Sequence, residues 1–143
     1  MSILAKIALI QNIFQTLKAD SPDRLTGFAK QVYEKFFEVL VDESGHEVLR
    51  AESLDEYLKQ GYGKPDIVIC TPFQEIGNLA PGFAELGRIL KAFEGVPVIV
   101  WSNRDEAVIR VTVLEDQGAT EYYTGTLLNA PDDFADMVLK YTT

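Results

Sequence analysis

Two hydrophobic periods take turns along the chain. Residues 6–10 (KIALI) form a short, apolar, β-compatible run that ends at Gln11-Asn12, whereas residues 13–20 carry no pattern that fixes an element. Ser21-Pro22 then supplies a helix start, serine as N-cap and proline at the first helical position. From there Leu25, Phe28, Ala29, Val32, Tyr33, Phe36, Phe37, Leu40 and Val41 recur at i, i+3, i+4 and i+7. That spacing predicts an amphipathic helix with one apolar stripe.

Residues 47–50 (EVLR) read as a short strand, and Ser53 with Glu56 forms a capping box that opens a short helix ending near Gly61. Residues 67–70 (IVIC) follow Pro65-Asp66 as an unbroken β-favouring run, the signature of a strand buried on both faces. Phe83, Leu86, Ile89, Leu90 and Phe93 return to helical spacing, and Gly95 stops that helix. Residues 96–101 (VPVIVW) predict the next buried strand, with Pro97 at its beginning, where a missing N–H is tolerated. Residues 104–117 pull two ways. The β-branched run VIRVTV favours strand, while Asp105-Glu106 in front and Gly118 behind favour helix, and helix is the reading adopted. Residues 120–123 predict a short strand, and Pro131 opens a last helix carrying Phe134, Met137, Val138 and Tyr141 on one face. Five β-α pairs in strict alternation with short crossovers imply an α/β fold, a parallel sheet between two helical layers.

Composition narrows the function. The 143 residues suit a single domain spanning 1–143, large enough to bury a core without a metal or disulfide staple. Thirteen Lys plus Arg against 22 Asp plus Glu give a net charge of −9, which disfavours unaided binding to nucleic acid or anionic membrane. One Cys (Cys70) and one His (His46) exclude an intramolecular disulfide and leave a Cys/His metal site without ligands. No apolar stretch approaches the roughly 20 residues that span a bilayer. The start lacks a basic region ahead of its apolar residues, so a cytoplasmic location is expected.

Three segments carry a family likeness: residues 46–53 (HEVLRAES) with 65–71 (PDIVICT), residues 96–103 (VPVIVWSN), and residues 118–125 (GATEYYTG). Together they resemble the response-regulator receiver domain, in its chemotaxis-protein-like, flavodoxin-type form. The resemblance orders the chain from Lys6 to Tyr141, apart from extra residues around 13–21 and 73–81. It implies a three-layer α/β/α fold with a five-stranded parallel sheet of order 2-1-3-4-5 and residues 67–70 central.

The departures from the family pattern bear on activity. The resemblance puts Thr71 where receivers carry the phosphoacceptor aspartate, Gln11 and Asn12 where they carry the acidic pair that holds Mg²⁺, and Gly125 where they carry a lysine. Ser102 matches the hydroxyl that contacts the phosphoryl group, and Tyr122 matches the aromatic switch residue. Mg²⁺ is normally held by one or two carboxylates plus phosphate oxygens, and Gln11, Asn12 and Thr71 offer no charge. Without metal or lysine, charge building on a transferring phosphoryl group has no cationic partner. The expectation is a degenerate pseudo-receiver: a non-enzymatic, phosphorylation-independent module of signal transduction that works through protein partners. No metal and no cofactor are expected. The chain given ends shortly after its last helix, so its effect is expected to pass through another protein, and a homodimer through the fourth-helix/fifth-strand/fifth-helix face is one form of contact the resemblance implies.

The same sequence bears on other chemistry. Cys70 lacks the arginine six positions on that cysteine phosphatases need, since Ile76 stands there, and reads as a buried, inert thiol. His46, with no partner histidine, reads as a strand-edge surface residue. The loop after the first strand is poor in the Gly and hydroxyl residues of a flavin-phosphate loop. Trp101, Tyr122 and Tyr123 read either as a partner-binding patch or as core with one ring turned outward. The rival from another class is a small ligand-binding or enzymatic flavodoxin-like domain. It would use a polar, uncharged cleft formed by Gln11, Asn12, Thr71, Ser102 and Asn103, among which no general base stands.

Overall fold

The computed structural model describes residues 5–10, 31, 34–72, 79–102, 106–124 and 130–142. In chain order these hold β1 (Lys6–Ile10), a π-helical segment α1 (Glu38–Glu43), β2 (Glu47–Ala51), α2 (Leu54–Gln60), β3 (Ile67–Cys70), α3 (Ala80–Ala92), β4 (Val98–Trp101), α4 (Ala107–Val111) continued by a π-helical turn (Thr112–Asp116), β5 (Glu121–Tyr123) and α5 (Pro131–Thr142). The patternless stretch 13–20 and the serine-proline start of the first long helix lie outside the described residues.

The five strands form one sheet of order β2-β1-β3-β4-β5, and every pairing is parallel. β3 is central, as its four buried apolar residues require, because a side chain on either face of a middle strand meets a helical layer. The alternation of strand side chains divides the core in two. On one face Ala8, Val68, Cys70, Val100 and Tyr122 pack under α2, α3 and α4 through Tyr57, Leu86, Ile89, Ile109 and Val113. On the other, Ile7, Leu9, Ile69, Ile99 and Trp101 pack under α1 and α5 through Val39, Leu40, Phe134 and Val138.

Local chemistry sets the element ends. Ser53 accepts a hydrogen bond from the Glu56 amide at 3.1 Å, as a capping serine should, and Gly61 closes α2 in the left-handed conformation. Of the ambiguous stretch, Ala107–Val111 is helix, continued by the π-helical turn Thr112–Asp116. Ile109 and Val113, four apart, are buried, which a strand could not arrange on one side with Val111 exposed between them.

The helices entering the two edge strands end alike. The His46 amide donates to Leu40 O and the Ala119 amide to Val113 O, each closing a loop one residue wider than the usual Schellman end. Glycines with positive φ, Gly45 and Gly118, make the reversal just before each.

His46 corrects the expectation of a surface position: it is 4% exposed. Its backbone closes the helix end, and that closure carries the side chain inward just before β2 begins.

Candidate functional site

Strand ends build the site. β1 to β4 point their carboxyl ends to one rim of the sheet, because all the strands are parallel. Thr71 follows β3 directly, and its amide donates to Ile10 O at 3.2 Å, extending the β1–β3 ladder by one rung. Ser102 follows β4, and its amide donates to Tyr123 O at 3.0 Å, extending the β4–β5 ladder likewise. The β3–β4 register pairs Cys70 with Val100, so Thr71 and Ser102 end adjacent strands at the same rim, offset by one residue. Both residues are half-buried. Gln11, Asn12, Asn103 and Gly125 lie outside the described residues. The sequence-derived set is therefore represented at the rim by its two hydroxyl residues.

Cys70 is fully buried on the α2/α3/α4 side. Burial pushes its thiol well above the ordinary range, and the charge of Glu85 on α3 adds to the effect. The thiol lies 3.7 Å from Ile99 O, within reach of a weak hydrogen bond. Such a group is a poor nucleophile, because the thiolate is the reactive form. Glu85 is the charged side chain that the sequence reading missed beside β3. Its Oε1 is buried without a hydrogen-bond partner while Oε2 lies 3.7 Å from Arg88. A helical pattern reads apolar positions, and Glu85 sits beside Leu86 on the border of the buried stripe, so no signal in the sequence marked it.

The three aromatic residues separate by depth. Trp101 is buried in the α1/α5 side of the core, stacked on Phe36 at 6.0 Å and tilted on Phe134 at 4.9 Å. Tyr122 is buried on the opposite side. These two fill core, so neither forms a surface patch. Tyr123 is half-buried, its ring edge-to-face with Phe134 at 5.4 Å.

The surface around them is made by other residues. Arg110 of α4 lays its guanidinium 5.2 Å from the Tyr122 ring centre, and Nη1 reaches Tyr122 O at 3.5 Å. Tyr141 of α5 donates to Glu121 of β5. On the outside of α4, Val108 is 69% exposed and Val111 is exposed beside the same arginine.

No group of three or more His, Cys, Asp and Glu side chains that could hold a metal occurs among the described residues. At the rim, Thr71 and Ser102 are neutral donors. Among the described residues, no helix is long and apolar enough to cross a membrane.

No protein-family model and no curated protein sequence matches this chain. Solved structures do. A response regulator from Thermotoga maritima superimposes with a TM-score of 0.65 at 17% identity, covering 96% of each chain. A response regulator receiver domain from Clostridium thermocellum gives 0.61 at 21% identity, over 96% of this chain and 94% of that one. An orphan response regulator of Helicobacter pylori gives 0.60 at 16% identity and 96% coverage of both. Likeness at this level of identity establishes the fold. The chain has the receiver-type, flavodoxin-like α/β architecture over nearly its whole length.

Proposed function

We propose that this protein is a pseudo-receiver: a receiver fold that works without phosphorylation as a protein-interaction module in signal transduction or regulation. The observation that carries the reading is Thr71, a hydroxyl residue at the end of the central strand of a receiver-type sheet. In the family pattern an acceptor aspartate ends that strand. A threonine hydroxyl is a weak unassisted nucleophile, and its phosphate ester would be stable, unlike the labile acyl phosphate of an aspartate. Mg²⁺ does not fit the donor set. Thr71 and Ser102 are neutral, the residues matching the acidic pair are Gln11 and Asn12, and Gly125 supplies no ammonium group. Charge on a transferring phosphoryl group would therefore meet no cation from these positions, and positioning plus such stabilisation is nearly all of phosphoryl-transfer catalysis.

The partner-facing surface in this reading is the α4–β5–α5 face. Arg110 and Tyr141 tie β5 to its two flanking helices, and Val108 and Val111 stand apolar and exposed on α4. A net charge of −9 directs such a surface toward protein rather than phosphate-bearing partners, in keeping with a cytoplasmic module. A homodimer through this face would make wild-type protein self-associate in sedimentation equilibrium, with Val111→Glu reducing it to monomer. A strictly monomeric wild type excludes the homodimer.

The deciding experiment is intact mass after incubation with acetyl phosphate and Mg²⁺. No change is expected for the wild type or for Thr71→Asp alone, since metal site, acceptor and lysine act together on one transition state. A gain of one phosphoryl group, about 80 Da, on the unmodified chain would overturn the reading.

A further inference from the structure

A buried histidine stands at the corner where α1 turns into the edge strand β2. His46 is 4% exposed, the one buried side chain of polar or charged type among the described residues, and its Nδ1 has no hydrogen-bond partner. Buried polar groups are nearly always paired, so this ring departs from the rule. The backbone amides around it are engaged. The Gly45 amide donates to Val41 O at 3.0 Å, the His46 amide to Leu40 O at 2.9 Å, and the Glu47 amide to Ala5 O at 2.9 Å. The Ser44 hydroxyl donates to Val39 O at 2.7 Å. Helix end, reversal and first rung of the edge strand thus form one continuous corner with the imidazole inside it.

We propose that His46 is a proton-operated latch, and that its protonation opens the α1–β2 corner locally while the rest of the sheet stays closed. This device is independent of the phosphoryl chemistry discussed above. A charged imidazolium would carry an N–H at the buried Nδ1, which has no partner in the corner, so the protonated ring is better satisfied in water. The direction of its titration agrees, since burial lowers His46 from the ordinary 6.5. Charged groups on the elements around the corner are Glu38, Asp42 and Glu43 on α1, Glu47 and Arg50 on β2, Lys6 on β1, Asp66 beside the Lys6 amide, and Asp132, Asp133, Asp136 and Lys140 on α5. None of them contributes to the shift, which burial alone causes. Opening is local because β2 has one strand neighbour, β1, whereas β3 and β4 are paired on both sides.

The test is hydrogen–deuterium exchange on the intact chain at about pH 7.5 and about pH 5.5, bracketing the ordinary histidine range. Rates are corrected for the intrinsic pH dependence of amide exchange. Corrected exchange over residues 38–51 should rise at the lower pH by roughly tenfold or more, with β3 and β4 unchanged. His46→Phe should abolish the pH response, as should His46→Gln, a second variant in case the first does not fold. Since His46 is the sole histidine, its ring proton resonance can be titrated directly in the wild type, with a midpoint expected below 6.5 that is shared by the β2 amides. An equal rise in all strands, an undiminished response in either variant, or a ring midpoint at or above 6.5 would each overturn the latch.

Discussion

Truncating Phe134 to alanine should unfasten α5 from the sheet. Phe134 is completely buried and stands at the centre of an aromatic cluster, 4.9 Å from Trp101, 5.4 Å from Tyr123 and 5.6 Å from Phe36 between ring centres. A Phe→Ala change in a core costs about 3–5 kcal/mol. Three lost ring contacts, each worth about 0.5–1.5 kcal/mol without being additive, put this site near the upper end, about 4 kcal/mol. Trp101 is the sole tryptophan and touches the deleted ring, so urea unfolding followed by its fluorescence reads the site directly. With a urea slope of about 2 kcal/mol per molar, the midpoint should fall by about 2 M. The whole protein is expected to hold about 5–15 kcal/mol, so Phe134→Leu serves as a milder companion should the alanine variant be largely unfolded. Leu139→Ala, on the same helix but exposed, should shift the midpoint hardly at all. A loss below about 1 kcal/mol for Phe134→Ala would refute the reasoning, because a site able to collapse so well would not be the packed centre described.

Three other expectations are independent of that cluster. Ser53→Ala removes the cap on the Glu56 amide and should cost about 1 kcal/mol in urea titration, with Ser53→Asp restoring most of it. Tyr57 is pushed up to about 12 by burial, with Tyr62 adding, and its hydroxyl donates to Gly63 O at 3.0 Å. The fold thus holds the neutral phenol, and stability should be full below the ordinary 10.0 and decline as pH rises from there toward 12; Tyr57→Phe should flatten that alkaline limb in midpoints measured across the range. Cys70 should resist a thiol reagent in the native state and react at the rate of unfolding or local opening, so rapid labelling of folded protein would contradict its burial.

How much the sequence revealed depended on which force placed each residue. Strands whose side chains meet helices on both faces had to be apolar throughout, so residues 67–70 and 96–101 were legible as buried strands, the second of which begins at Val98, just past Pro97. Ser53 and Gly61 were legible because capping is a local interaction. Residues 104–117 were ambiguous because β-branched side chains report local preference, while the outcome rests on Ile109 and Val113 reaching one face of the core. His46 was misread because its burial comes from a helix-end closure six residues in span, which a hydropathy pattern does not register. For the rim, order along parallel strands was enough to bring Thr71 and Ser102 to one edge. The aromatic residues were a matter of depth, and alternation gives sidedness without depth. Tyr122 and Tyr123 do face opposite sides, but the ring expected outside is still half covered by Phe134.

Fold and rim chemistry are energetically separate in this protein, and that separation makes the proposed pseudo-receiver physically reasonable. The inward residues of β1, β3 and β4 are buried between two helical layers, and nothing in that packing requires a charge at the rim. Thr71 and Ser102 use their backbone amides to finish the ladders, a role any residue but proline can fill. Exchanging the side chain at Thr71 therefore leaves the ladder hydrogen bonds of its backbone in place. A carboxylate cluster would instead burden the rim with mutual repulsion that a bound cation must offset. The α4–β5–α5 face is held by contacts remote from that rim, through Arg110 on Tyr122 and Tyr141 on Glu121. Its geometry is consequently set by the folded state itself. A surface built in this way can present Val108 and Val111 to a partner whatever occupies the end of β3.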